Sequence, residues 1–331
     1  MRPLSFWQNS PNKLGLWANL LRPLGAIYAA VTARRVKQAG YRAKVPVICI
    51  GNLTAGGAGK TPTAIAVLMI LMAKGIKCHV VSRGYGGSVT GPVQVDAIKG
   101  KAEEVGDEPL LLAAFAPTWV AKDRAAGVKA AELAGAEVIL LDDGFQNPSV
   151  IKDLSIIVVD AARGFGNGLC LPAGPLREPV REGVKRGHLL LSIGSEADQK
   201  TFDNQWSEQA PLPRVRGHLA PLQMGMDWKG QRVLAFAGIG YPEKFFATLR
   251  GEGAEVVKTV ALDDHQPISE LLLNRLENEA ALLGAQLVTT EKDQIRLPEA
   301  HRHRVLALVV RLVLDDPAPL NAALERLLPA R

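Results

Sequence analysis

The sequence predicts an α/β fold: a largely parallel sheet with helices on both faces, plus a second, smaller α/β domain. Three observations lead there. Short β-branched runs, Val45–Ile50, Val138–Leu141 and Leu154–Val159, are separated by apolar stretches of helix length. These runs end in glycine or aspartate, at the sheet edge where ligands bind in open α/β folds. The 331 residues, 47% hydrophobic and 22% charged, suffice for two domains with a sizeable core.

Residues 1–40 are expected to form a helical segment of their own. Residues 1–95 hold twelve Lys and Arg and no acid, whereas residues 96–331 hold 27 against 33, so the net charge of +6 conceals a basic front. Such asymmetry points to an anionic partner: a membrane surface, nucleic acid or a phosphorylated substrate. Phe6, Trp7, Trp17, Leu20, Leu21, Ile27 and Tyr28 alternate with Arg22, Arg34, Arg35 and Lys37. That mixture favours a helix lying in an anionic membrane interface over one simply packed on the body. The longest charge-free run, Pro23 to Ala33, has 11 residues, whereas a bilayer span needs ~20. Pro23 is expected to kink or split the helix, and no secretory cleavage site is visible.

The main domain is expected over residues 41–200. After its first strand the chain reads GNLTAGGAGKTP, from Gly51 to Pro62. Thr54, Gly56, Gly57, Ala58 and Gly59 form a turn whose backbone N–H groups can converge on phosphate. Lys60 falls where it reaches β- and γ-phosphates, Thr61 where its hydroxyl meets Mg²⁺, and Pro62 in the first turn of a helix. Thr54 stands where the strict G-x-x-x-x-G-K-[ST] pattern has its first glycine. That position lies at the strand exit, so the loop still reads as phosphate-binding.

A phosphate loop needs a carboxylate near its cation. Asp142 and Asp143 supply one at the end of Val138–Leu141; adjacent carboxylates repel unless a cation shares them. The strand Leu154–Val159 ends in Asp160 and leads into GFGNGLCLPAGPLREPV, whose Arg177 and Glu178 are placed to clamp phosphate and assist the metal. CHVVSRGYGG displays Arg83 and Tyr85 after another strand. In GDEP, Asp107 precedes a helix; an ordinary helix N-cap and a functional carboxylate fit it equally well.

Residues 201–231, polar and proline-containing, are expected to be a linker. Residues 232–331 resume a β/α pattern as the smaller domain, with RVLALVVRLVL as one late strand. Cys49, Cys78 and Cys170 show no metal-binding spacing and suit a reducing cytoplasm.

GNLTAGGAGKTP, SRGYGG, GDEP, DDGFQN, the GFGNGLCLPAGPLREP run, DDHQ and TTEKD occur in this order between about Leu14 and Leu297. Together they resemble the tetraacyldisaccharide 4′-kinase family of lipid A biosynthesis. The resemblance implies a P-loop kinase-like fold that uses ATP and Mg²⁺. It implies transfer of the γ-phosphoryl to the 4′-hydroxyl of a membrane-held tetraacyldisaccharide 1-phosphate. It also implies a peripheral protein on the cytoplasmic face of the inner membrane. Lys60 and Thr61 would serve ATP and Mg²⁺, Asp142 and Asp143 the metal side, and Arg177 and Glu178 the phosphoryl group. Asp107 would be the base, hydrogen-bonded to His265 of the second domain. Two positions depart from the family pattern: Asn147 and Gln266 stand where it usually has histidine.

A nucleotide-hydrolysing switch or metallochaperone without a small-molecule acceptor is the competing class. It lacks support, since no N-K-x-D-type guanine motif and no Cys/His cluster is present. No nucleic-acid module is visible, and no obligate protein partner is expected.

Overall fold

The computed structural model describes residues 4–223, 225–264 and 266–328. Thirteen strands form two sheets among these residues. They are β1 (Val47–Gly51), β2 (Cys78–Ser82), β3 (Val93–Gln94), β4 (Thr118–Val120), β5 (Val138–Asp142), β6 (Leu154–Asp160) and β7 (Leu189–Ile193). There follow β8 (Arg214–Pro221), β9 (Arg232–Ala237), β10 (Glu255–Ala261), β11 (Gln286–Thr290), β12 (Leu306–Leu308) and β13 (Val310–Leu314).

The large sheet runs β13-β8-β7-β6-β1-β5-β2-β4-β3. Its pairings from β8 to β4 are parallel, and β13 and β3 close the two edges antiparallel. The central strands β1, β2, β5, β6 and β7 are buried along their whole length, which explains their continuous apolar runs. Two apolar layers cover the faces. One holds Ile65, Leu68 and Leu71 of the helix Lys60–Ala73, and the other Phe145, Phe165, Phe202 and Trp206. The chain leaves β1 toward β2 on one side and β6 toward β7 on the other, so the switch point of the sheet lies at β1 and β6.

The smaller sheet, β10-β9-β11-β12, is wholly parallel. It is flanked by the helices Pro242–Gly251 and Glu270–Leu282, with Phe246, Leu249, Leu273 and Leu276 buried against it.

Three sequence expectations are corrected. Residues 201–231 are not a linker. They complete the helix Glu196–Trp206, whose Phe202 and Trp206 are core residues, and contribute β8 to the large sheet. β8 exposes much of its length, so its composition is polar although its position is integral. The expected late strand divides at Val309: β12 belongs to the small sheet, and β13 returns to pair with β8. The helix Ala318–Leu327 then packs Leu320 and Leu324 onto the first lobe. Finally, Leu16–Arg35 runs as one helix through Pro23, so the proline does not split it.

That helix lies on the body through small residues. Ala18, Gly25 and Thr32 are its buried positions, seven apart. A Cβ on Gly25 would stand 2.8 Å from the Cys170 carbonyl, so only glycine permits this approach. The opposite face presents Leu16, Trp17, Leu20, Leu24, Ile27 and Val31 to solvent.

Candidate active site

The phosphate loop joins β1 to the helix Lys60–Ala73, whose N-cap is Gly59 at φ 92°. Gly56 is also left-handed, at φ 112°. These two residues let the backbone turn where a side chain would be strained. At Gly59 a Cβ would stand 2.5 Å from Ile193, whereas Gly56 and Gly57 face open space. The nearly all-apolar helix that follows keeps the loop fixed, because it is buried between β1, β5 and β13.

The structure explains Thr54. It forms an isolated antiparallel bridge with Leu176. The Ala55 N–H donates to the Pro175 carbonyl at 2.7 Å, and the Arg177 N–H donates to the Leu53 carbonyl at 2.7 Å. The LPAGPLREP segment thus braces the outer arm of the loop, and a β-branched residue suits that extended position. The same segment is tied to the N-terminus: the Trp7 indole donates to the Pro172 carbonyl at 3.0 Å, and Asn167 Nδ2 to the Ala173 and Phe6 carbonyls at 2.9 and 3.2 Å.

The loop faces the end of β5. Asp143 follows that strand at φ 49°, an unfavourable conformation for a non-glycine residue. Its carboxylate lies 3.7 Å from Lys60 Nζ and 3.0 Å from Arg177. Burial alone would raise the Asp143 carboxyl, but Lys60 and then Arg177 outweigh it and hold it low. Three residues named from the sequence therefore meet here: the loop lysine, the strand-end acid and the arginine of the long loop.

Asp142 is the last residue of β5 and is 1% exposed. Its Oδ2 accepts from the Ser82 hydroxyl at 3.0 Å, while the buried Oδ1 has no hydrogen-bond partner among the described residues. Burial, then the charges of Glu108 and Asp143, pushes the Asp142 carboxyl up to about 7. Buried Arg124 donates to the Asp142 carbonyl at 3.1 Å and fixes the strand end.

These residues fit a Mg²⁺ ion. An orphaned, buried carboxylate oxygen is what a cation would satisfy. Among the described residues no group of three or more His, Cys, Asp or Glu could hold a metal alone. Mg²⁺ does not need one, since it is usually held by one or two carboxylates with phosphate oxygens and water.

Glu178, expected on the metal side, is engaged here by neighbouring side chains. One oxygen accepts from Gln146 Nε2 at 2.9 Å and the other pairs with Arg186, and the residue is 3% exposed. Both oxygens have protein partners, so Glu178 braces the loop internally. Gln146 also donates to the Asn52 carbonyl at 2.9 Å, joining this brace to the exit of β1. Asn147 serves a local turn, its Oδ1 accepting from the Ser149 N–H at 2.8 Å. Gln266 does likewise, accepting from the Asp263 N–H at 2.9 Å.

Asp107 is the first residue of the helix Asp107–Ala113, with Gly106 as the cap, so the plain N-cap reading is not what forms. It is 4% exposed, and its Oδ1 accepts from the Glu108 N–H at 3.0 Å. His265, its expected partner, lies outside the described residues. What does reach Asp107 from the second lobe is Lys292, at 3.7 Å.

Ser82, Arg124, Gln146, Arg186 and Lys292 were not singled out from the sequence. A polar residue closing a buried strand marks Ser82, and a lysine between acids in a strand-to-helix turn marks Lys292. Nothing local marks Arg124, Gln146 or Arg186, whose roles depend on distant partners.

Comparison with known proteins shows the family to which this chain belongs. Residues 17–329 match the model of the family described as tetraacyldisaccharide-1-P 4′-kinase. A tetraacyldisaccharide 4′-kinase of Dinoroseobacter shibae is 60% identical over 331 residues, covering 99% of this chain and 98% of that one. The Jannaschia sp. protein of the same name is 54% identical, covering 99% of each. The crystal structure of LpxK from Aquifex aeolicus in complex with ATP superposes with a TM-score of 0.74 at 25% identity, covering 95% of this chain and all of that one. With the phosphate loop, the paired strand-end aspartates and the bracing loop all in place, the chain belongs to the tetraacyldisaccharide-1-P 4′-kinase family.

Proposed function

We propose that this protein transfers the γ-phosphoryl group of ATP to the 4′-hydroxyl of a tetraacyldisaccharide 1-phosphate, as its relatives are named to do. The observation that carries the reading is the meeting of Lys60, Asp143 and Arg177 at the mouth of the phosphate loop, beside Asp142. Residues 54–62 cradle the triphosphate, with Lys60 exchanging its Asp143 partner for phosphate oxygens. Thr61, Asp142 and Asp143 would hold Mg²⁺, which when bound neutralises charge on the β- and γ-phosphates. Arg177 and Lys60 stabilise the charge that develops on the transferred group. Asp107 takes the proton of the sugar hydroxyl, a contribution worth about 10²–10⁴-fold, and His265 orients it. The second lobe covers the site and excludes water, so transfer is favoured over hydrolysis.

The acceptor is held at a membrane. No described helix is long and apolar enough to cross one. The exposed apolar face of Leu16–Arg35, with Arg34 and Arg35 in its last turn, suits the anionic cytoplasmic face of the inner membrane. Acyl chains then stay in the bilayer while the sugar rises to the cleft.

The test is transfer of label from γ-labelled ATP to tetraacyldisaccharide 1-phosphate in mixed micelles, beside a lipid-free control. Labelled glycolipid is the expected product. Hydrolysis at one rate with and without lipid, and no labelled lipid, would return the reading to a nucleotide-hydrolysing switch.

A further inference from the structure

The TTEKD stretch enters the site described so far only through Lys292, and its local structure is tightly constrained. Thr289 is fully buried and donates to the Phe236 carbonyl at 2.8 Å. Thr290 caps the one-turn helix Glu291–Gln294: its hydroxyl accepts from the Asp293 N–H at 3.1 Å and donates to Asp293 Oδ2 at 2.7 Å. Asp293 is itself fully buried, held by Arg296 and by the Gly238 N–H at 3.1 Å. Glu291 is gripped by Arg311 of β13 through two contacts of 2.7 and 3.0 Å. Four of the five residues are therefore spent in locating the turn.

The fifth, Lys292, projects across the cleft. Its Nζ lies 3.1 Å from Glu108 and 3.7 Å from Asp107, with 22% of the side chain exposed. Ile295, three residues on, packs beside Val95, Val105, Leu110 and Val120 of the first lobe. An apolar contact and a charge contact thus dock the same turn onto the helix that carries Asp107. Burial pulls the Lys292 ammonium down, but Glu108 and Asp107 outweigh it and leave it firmly charged.

The chemistry needs such a cation. Glu108 and Asp107 are neighbours at a helix start, and Glu108 also acts on Asp142. Lys292 places one positive charge against these two adjacent carboxyl groups, at 3.1 and 3.7 Å. A base that is protonated accepts nothing.

We propose that Lys292 is a positioning residue for phosphoryl transfer, delivered by the second lobe to hold the Asp107 carboxylate in place and supply its counter-charge. The inference rests on Asp107 acting as the base. It makes the docking of the second lobe a condition for catalysis, because the cation arrives only with that lobe. The charged groups around this point are Lys292 and Asp264 from the second lobe, Glu108 beside Asp107, and Asp142, Asp143, Lys60 and Arg124 at the sheet edge.

The experiment compares Lys292→Met, Lys292→Arg and Asp107→Asn in the full-length protein by the micelle transfer assay across pH. Lys292→Met is expected to lower kcat about tenfold or more and to move the acid limb of kcat/KM upward by about one pH unit. KM for ATP is expected to change less than about twofold, and Lys292→Arg to recover most of kcat. An unchanged kcat, an unmoved acid limb, or no recovery with arginine each overturns the proposal. Asp107→Asn keeps the two readings apart. An active Asp107→Asn defeats the base itself, whereas an inactive one beside an unaffected Lys292→Met defeats only Lys292. Should Lys292→Met fail to fold, Glu108→Gln tests the same charge balance from the first lobe. It is expected to lower the acid limb, and a limb that stays or rises counts against the proposal.

Discussion

Replacing Leu20, Leu24 and Ile27 together by glutamine should release the protein from anionic vesicles while leaving its fold intact. These side chains are 64%, 52% and 62% exposed and share one face of the helix Leu16–Arg35. Full burial of such a side chain is worth about 1.5–3 kcal/mol. Scaled by the exposed fraction, each contributes roughly 1–1.5 kcal/mol on entering the interface, and the three about 3–4 kcal/mol. At 1.4 kcal/mol per factor of ten, the partition coefficient should fall by about two to three powers of ten. Glutamine is a good helix former, and the packed positions Ala18, Gly25 and Thr32 are untouched, so the helix should persist. Co-sedimentation with vesicles containing anionic lipid measures the effect. A control replaces Met69 and Met72, each 52% exposed on the helix Lys60–Ala73. If the triple variant loses less than about threefold, or no more than the methionine control, the exposed stripe is not the membrane contact.

Lys60→Met should lower kcat by about 10²–10³ while Tm stays near that of the parent; measurable transfer at the parental rate would remove Lys60 from the site. Trp206→Ala should cost about 3–5 kcal/mol in urea melts, because Trp206 is 1% exposed and packs edge-on to Phe165 at 5.2 Å. A neutral Trp206→Ala would mean that residues 201–231 are a linker after all. For Glu277, burial raises the carboxyl, but His301 and Arg304 more than offset it, so its folded pKa lies below the ordinary 4.5. Its stabilising contribution is therefore present above 4.5 and lost as pH falls through the lowered value. Glu277→Gln should be destabilised at pH 7, with the gap to the parent narrowing as pH falls below 4.5; a gap that does not narrow on acidification would show that packing, not charge, is responsible.

Much of the site was legible in the sequence because its conformations are local. Gly56 and Gly59 announce left-handed backbone, the apolar run after Lys60 announces a buried helix, and an acid pair closing a β-branched run marks a ligand-bearing strand end. The bracing role of Glu178 was not legible, for the opposite reason. Its commitment to Gln146 and Arg186 depends on partners 32 and eight positions away, which spacing cannot show.

By itself the sequence determined the phosphate loop, the strands that carry Asp142 and Asp143, the basic apolar N-terminal helix and the family, since each is written in contiguous residues. Tertiary structure alone decided that β8 and β13 complete the first sheet, that Leu176 steadies Thr54, and that Lys292 reaches Asp107. A strand with one exposed face reads as polar text, and an ion pair 185 positions apart leaves no period in the chain. Such contacts exist only once hydrophobic burial has folded the two lobes together.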